Sequence, residues 1–254
     1  MIRRFIICLF FTASLSAKGQ VSVKDSMVHI SIVPVSFSYN WPGGDFVDRF
    51  GNNAQIGVGY WYKSQTNWLF GLNGDFIFGN HVKESNIFKP ISTSSGIIIG
   101  EDGSPAETDM FERGWVFMGR VGKVLTKVPF TKLDAGLNPN SGFLLMLGAG
   151  MVQHKIQIKS NALALTEDMI KGYDRLSNGP ALSQFLGYLF LSNNRLVNFY
   201  FGIECIQGWT QNRRGYNYDT MQEDTKTRMD IMTGIKLGWV LPLYKKVPDE
   251  FYYY

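Results

Sequence analysis

From Met27 onward, apolar and polar residues alternate with a period of two over most of the chain. The clearest stretch lies between Val197 and Cys205. There Val197, Phe199, Phe201, Ile203 and Cys205 fall on one face, and Asn198, Tyr200, Gly202 and Glu204 on the other. Such a strand suits lipid outside and a polar interior. The run before it, from Ser183, is apolar on both faces apart from Gln184, and only Ser192-Asn193-Asn194-Arg195 and its neighbours separate the two. That spacer is too short for a helical crossover, so the pair is predicted to be an antiparallel hairpin.

The same unit recurs along the chain. A first strand is expected over Met27 to Tyr39, with Val33, Val35, Phe37 and Tyr39 opposite Ser36 and Ser38. It is weakened by Pro34, which has no ladder donor, and ended by Trp41-Pro42-Gly43-Gly44, after which a polar loop reaches Asn53. A second places Ile56, Val58, Tyr60 and Tyr62 against Gln55, Gly57, Gly59 and Trp61. Lys63 to Asn67 turns it tightly into a third, Trp68 to Phe78. A polar loop from Gly79 to Arg113 precedes a fourth strand, Gly114 to Val124, with Trp115, Phe117 and Val121 outward and Met118, Arg120 and Gly122 inward. The connection Leu125 to Ser141 leads to a fifth, Gly142 to Gln153, continuing toward Ile158. A loop reaches Pro180, the opening hairpin follows, and after a polar loop from Thr210 to Lys226 comes a last strand, Thr227 to Trp239.

Eight strands result, and their connections sort by length. Tight or moderate ones follow strands two, four and six, and longer ones follow strands one, three, five and seven. The pattern predicts an eight-stranded antiparallel transmembrane β-barrel of the outer-membrane type, with both ends of the barrel periplasmic, short periplasmic turns and long external loops. A soluble lipocalin-like barrel or sandwich is the competing fold, but it has no reason to sort its loops this way. No stretch after the first residues is long and apolar enough for a transmembrane helix.

The beginning of the chain reads differently. Met1-Ile2-Arg3-Arg4, the apolar Phe5 to Phe11 and the small residues Ala13 to Ala17 are expected to be a secretory signal peptide over 1–17. Residues 18–240 then form the barrel and 241–254 a periplasmic tail. Without the leader, Cys205 is the only cysteine, so no internal disulfide is available. The formal charge of +4 falls by the two leader arginines to about +2, too small for a nucleic-acid reading. Aromatic residues make up 15% of the chain, and with 27 glycines they fit strands with aromatic ends and close backbone approaches.

An eight-stranded barrel has room inside only for side chains. Its inward set contains Asp75, Arg120, Glu204, Asp230 and Lys236. Mutual pairing is the cheapest arrangement for them, since isolated charges there carry a large desolvation cost, and Arg120 is the natural mate of Glu204. Lining of a narrow conduit or of a small-ligand site is the alternative role. Cys205 alternates onto the lipid side. His29, His81 and His154 show no metal-ligand spacing, and no nucleophile elbow, phosphate loop or zinc-protease motif is present. No catalytic residue, metal or cofactor is assigned.

Three stretches carry a more specific likeness: Asn138-Pro139-Asn140-Ser141-Gly142 leading into Gly148 to Ile156, Gly172 to Gly179 ahead of strand six, and the ending Pro248-Asp249-Glu250-Phe251-Tyr252-Tyr253-Tyr254. In these the sequence resembles the PorG family, the outer-membrane barrel component of the Bacteroidetes type IX secretion system. The resemblance implies a non-enzymatic scaffold that associates with the periplasmic ring proteins PorK and PorN, so that cargo with a C-terminal sorting domain is secreted. Topology then makes Asn138, Pro139 and Asn140 in the 125–141 connection, and Pro248 to Tyr254 in the tail, the candidate partner contacts. The rival function is an autonomous OmpA-like surface barrel of the adhesin or resistance type. An outer-membrane enzyme assembling its site from separate rims ranks behind both.

Overall fold

The computed structural model describes residues 27–95, 97–99, 103–106, 108–127, 134–160, 167–192 and 197–243. The signal-peptide assignment and the tail from 244 onward lie outside them. The described chain forms a closed antiparallel barrel of eight strands: β1 (Ile30–Gly44), β2 (Asn53–Lys63), β3 (Trp68–Gly79), β4 (Thr108–Leu125), β5 (Gly142–Ser160), β6 (Ser177–Phe190), β7 (Phe199–Asn212) and β8 (Thr227–Leu243). Each strand pairs with its sequence neighbours, and β1 closes the ring on β8 from Ser31↔Leu243 to Gly44↔Asp230.

Alternation decides which face each side chain takes. On the outside, Ile56, Leu72, Phe117, Leu147, Ile203 and Leu237 are exposed, Leu72 to 69% and Leu147 to 62%. An apolar wall of this extent belongs in hydrocarbon. Aromatic side chains flank it at both ends, among them Tyr62, Trp68 and Trp239 toward the short turns and Trp41, Trp115 and Trp209 toward the long loops. Lys123 Nζ lies 5.0 Å from the Trp68 ring, a cation lifted to the edge of the band by its apolar stem. From Phe199 to Trp209 the outward band of β7 spans about the 9–11 residues that a tilted strand needs to cross a bilayer. β4 and β5 are longer and project beyond it.

The strand ends differ from the sequence-based expectations in four places. β1 does not stop at Trp41: the Pro-Gly-Gly segment stays in the ladder with β8. Pro34 leaves that ladder intact, but pairing with β2 skips from Ile32↔Trp61 to Val35↔Val58. The missing donor is thus turned toward β2 alone. Pro180, expected in a loop, sits inside β6 with the same arrangement: pairing with β5 is continuous, and pairing with β7 skips from Asn178↔Gln211 to Ala181↔Gly208. Third, β4 starts at Thr108, so Arg113 belongs to a strand and not to the preceding loop. Fourth, the polar loop after β1 contains a one-turn helix, α1 (Phe46–Arg49), whose Phe46 and Arg49 are buried.

The long connection also has structure. It holds a 3₁₀ helix over Ser85–Ile91 and a small ribbon pairing Ile98–Ile99 with Pro105–Ala106. The next connection on that end carries the helix α2 (Glu167–Tyr173), and the last a ribbon of Tyr216–Asn217 with Gln222–Glu223. Loop length is less cleanly sorted than expected, because residues 126–141 at the short-turn end match 161–176 at the other. The interior divides into two apolar clusters. One, toward the long loops, gathers Phe46, Phe50, Ile87, Phe88 and Tyr173 from the connections onto Ile77, Val116, Val152, Ile206 and Met232 of the strands. The other, toward the short turns, holds Val28, Ile32, Trp61, Leu144, Phe185, Tyr200 and Val240.

Candidate functional site

Between the two apolar clusters lies a layer of charge. Asp75 from β3, Arg120 from β4, Glu204 from β7 and Lys236 from β8 alternate inward and meet across the barrel. Lys236 Nζ donates to Asp75 Oδ1 and to Glu204 Oε2, each at 2.9 Å. Arg120 Nη2 stands 2.5 Å from Glu204 Oε1 and 3.9 Å from Asp75 Oδ2. All four side chains are 1–2% exposed. Two carboxylates and two cations sum to zero charge, and Ser36 Oγ adds a donor to Asp75 at 3.3 Å. Strand glycines open the space: a Cβ on Gly57 would fall 2.0 Å from Asp75 Oδ1, and one on Gly148 would fall 2.4 Å from Ser183 Oγ and 3.3 Å from Arg120 Cγ.

Asp230, grouped with these four by alternation, belongs to a separate site nearer the long loops. Its carboxylate accepts from Arg49 Nη2 at 2.9 and 3.0 Å and from Thr210 Oγ1 at 2.5 Å, and pairs with His154 Nε2 at 2.8 Å. Phe46 and Phe50 pack edge-on against the His154 ring, with centroids 5.0 and 5.5 Å away. α1 therefore acts as a plug whose arginine reaches down to a strand acid. Histidine, aspartate and a hydroxyl are together here, but both the imidazole and the hydroxyl hydrogen-bond the same carboxylate oxygen. In this geometry the hydroxyl proton goes to Asp230 and not to the histidine, and His154, Thr210 and Asp230 are at most 1% exposed. Nearby, Glu112 accepts from Asn53 Nδ2 at 3.0 Å, and Asn53 accepts from Asn40. Alternation does not single out Arg49, His154, Thr210 and Glu112 as interior partners: Arg49, Glu112 and Thr210 fall in stretches that read as polar loops, and His154 falls in the extension of the fifth strand.

The short-turn end is closed by the Asn138–Gly142 segment. Asn140 is fully buried; its Oδ1 accepts from Lys63 Nζ at 2.7 Å and from Val28 N at 3.0 Å. Asn138 Nδ2 donates to Leu191 O, Asn67 Nδ2 to Pro139 O, and Ser141 Oγ both donates to Leu191 O and accepts from Leu191 N. The side chain of Asn140, expected among the candidate partner contacts, is turned to the barrel end, where Lys63 and the Val28 amide occupy its oxygen. Asn138 and Pro139 are half-buried, and among the described residues of this connection Leu137 is an exposed apolar side chain, at 76%. Pro248, Asp249, Glu250, Phe251, Tyr252, Tyr253 and Tyr254 lie outside the described residues. Cys205 faces outward but is not isolated, since Thr233 Oγ1 donates to its sulfur at 3.4 Å.

At the opposite rim the Gly172–Gly179 segment works as a clasp. Arg175, held at a φ of 46°, pairs with Glu84 of the long connection at 2.7 Å and with Asp219 of the last one. Asp174 pairs with Arg214 at 2.6 Å and accepts Ile156 N through its backbone carbonyl. Burial pushes the Glu84 carboxyl upward in pKa against the pull of Arg175. At Asp224, burial also pushes upward, but hydrogen bonds from Arg228, Asn217 and Asn212 and the Arg228 charge hold the carboxyl below its ordinary range.

The arrangement encloses its charged groups, with the four side chains of the paired layer almost fully buried between the two apolar clusters. Clefts of about 600 and 690 Å³ lie on the outer wall, the first between Leu145, Leu147, Gln184, Leu186, Ile203 and Cys205. Among the described residues no group of three or more histidines, cysteines or acids is placed to hold a metal ion.

No family model matches the chain, and no curated protein does. Among solved structures the chain is similar to Neisserial surface protein A, with 8% identity, 84% of this chain and 96% of that chain covered, and a TM-score of 0.42. It is similar to Ail, the attachment invasion locus protein of Yersinia pestis, with 12% identity, 84% and 98% covered, and a TM-score of 0.33. A third is the outer membrane protein OprG from Pseudomonas aeruginosa, with 13% identity, 88% and 99% covered, and a TM-score of 0.35. The barrel assignment of this chain stands on its own ring of paired strands and its inward and outward faces.

Proposed function

We propose that this chain is a non-catalytic outer-membrane barrel that anchors a type IX secretion machine, associating with the periplasmic PorK and PorN ring as its resemblance to the PorG family implies. The observation that carries the reading is the buried, charge-paired layer across the interior. A barrel whose central layer is a neutral, buried ion quartet works through its ends and its wall, not through a passage. In this reading the short-turn end is periplasmic. β1 begins there and β8 ends there at Leu243, at the rim that would face the ring. With Asn140 buried, the contact surface proposed at this rim is Asn138 and Pro139 with the exposed Leu137, together with Pro248 to Tyr254. The test is a chain truncated after Val247. The barrel is expected to reach the outer membrane while co-purification with the ring proteins and secretion of cargo are lost. Intact secretion in a correctly inserted truncation refutes the tail as the contact.

The ordered rim at the other end favours a second reading, an autonomous surface barrel of the adhesin or resistance type. Arg175 ties two long connections together, and buried Ile87, Phe88 and Tyr173 pack them onto the barrel mouth. If that reading holds, the truncated chain secretes cargo normally, and replacing the 80–107 connection alters what the cell surface binds.

A further inference from the structure

Above its apolar band, the outer face of β4 and β5 places like charges opposite one another. Trp115 closes the band on β4 and is paired with Gln153 of β5; on the next outward pair Arg113 stands directly across from Lys155. Directly opposed like charges destabilise a strand pair unless something anionic lies between them. Arg113 is fixed in place by donating Nη1 to the carbonyls of Glu112 at 2.6 Å and Gly79 at 3.2 Å, neither of which neutralises it. Further along the strands, Lys159 Nζ lies 5.3 Å and the Arg113 guanidinium 5.1 Å from the ring centre of Phe111, so both cations gather around one aromatic side chain. Asp109 is the cross-strand neighbour of Lys159, and no ion pair forms between them. Among the described residues none of Arg113, Lys155 and Lys159 makes an ion pair with a carboxylate. The Glu112 carboxylate points into the barrel, where Asn53 holds it.

The height of this cluster limits what fills it. Tryptophan marks the boundary between hydrocarbon and headgroups, and Arg113 lies two residues beyond Trp115, roughly 7 Å along a strand that rises about 3.4 Å per residue. That is the depth of a lipid phosphate. We propose that Arg113, Lys155 and Lys159, with Gln153 beside them, form a binding site for the phosphate of an anionic lipid headgroup in the leaflet at the long-loop end. Acyl chains of the same lipid would lie along the apolar wall below, on Phe117 and Met151. The site rests on the barrel spanning a membrane and is independent of the secretion reading.

The experiment uses the full chain folded in a neutral detergent, with native mass spectrometry to read binding of lipid A, phosphatidylglycerol and inorganic phosphate. The comparison is with Arg113→Gln/Lys155→Gln, and with Lys171→Gln as a control on α2. Each basic residue near a lipid surface adds about fivefold to affinity, so the double variant is expected to lose lipid A and phosphatidylglycerol binding by roughly tenfold to thirtyfold. The control should bind as the parent does. Equal lipid binding by parent and double variant overturns the site. Displacement of lipid by millimolar inorganic phosphate overturns the lipid as the source and leaves a free-anion site. Failure of the membrane reading looks different: the full chain would then stay folded and monodisperse in buffer without detergent.

Discussion

Replacing Glu204 with glutamine removes one charge from the buried quartet and almost none of its volume. In the parent, Lys236 shares two carboxylates at 2.9 Å, and Arg120 has one contact at 2.5 Å and one at 3.9 Å. The variant leaves two cations around Asp75 alone. At an effective dielectric constant near 20 each close contact represents roughly 6 kcal/mol of gross attraction. Part of the loss is offset by relief of repulsion between the Asp75 and Glu204 carboxylates. Water does not offset the remainder, because the layer is capped by apolar clusters on both sides. Removal of one partner from a buried ion pair leaves a net destabilisation of about 3–5 kcal/mol, and that is the expected value here. The assay is urea unfolding of the refolded barrel in lipid vesicles, followed by tryptophan fluorescence. Lys236→Gln alone should cost a similar amount, whereas Glu204→Gln/Lys236→Gln restores neutrality and should cost clearly less than the sum of the two. If the double variant is as unstable as that sum, the four groups are not coupled and the layer is not what the distances describe.

Three further outcomes are expected. Asn140→Ala removes the acceptor of Lys63 and of the Val28 amide and should destabilise the barrel by about 2–3 kcal/mol, measured by the same unfolding transition, with residues near Val28 opening first to protease. Gly57→Ala drives a methyl group to 2.0 Å from Asp75 Oδ1; it should cost about 1–3 kcal/mol as an overpacked interior does, and Gly119→Ala, whose added carbon meets its nearest atoms at 3.7 and 3.8 Å, should show no steric penalty in the same titration. Because the Asp224 carboxyl is held below its ordinary range, its clamp on Arg228 is present above about pH 4 and is lost as pH falls through the depressed value. Hydrogen-exchange protection in residues 213–226, corrected for the intrinsic slowing of exchange in acid, should therefore be high at pH 6 and fall on acidification, and an Asp224→Asn variant should show low protection at both.

The strand count and the facing of side chains were legible because each depends only on local alternation. Val121 against Arg120, or Ile203 against Glu204, declares its side without reference to anything distant. The pairing of Asp75, Arg120, Glu204 and Lys236 followed from the same parity once an interior existed. What alternation does not carry is height along the barrel axis. Asp230 shares parity with Glu204 and Lys236 but sits a layer away, with partners from α1, β5 and β7. Arg49 was hidden for another reason. It stands in a polar stretch too short to show helical periodicity, and its partner Asp230 is 181 residues distant. Trp41-Pro42-Gly43-Gly44 carries turn chemistry, and tertiary pairing with β8 overrides it. Asn138-Pro139-Asn140 looked like an exposed turn because its residue types favour turns; the buried Lys63 that recruits Asn140 is equally unusual and is invisible until β2 and the connection are brought together.

Closure of the ring by its first and last strands has a consequence for how the molecule is made. The ladder from Ser31↔Leu243 to Gly44↔Asp230 joins segments from opposite ends of the chain. Until β8 arrives, β1 and β7 present two rows of unsatisfied amides and carbonyls, which hydrocarbon does not tolerate. A nascent chain lacking β8 is thus barred from the bilayer however well its other seven strands are paired. Closure of the ring, and with it the satisfaction of its edge groups, therefore requires a chain synthesised through its final strand.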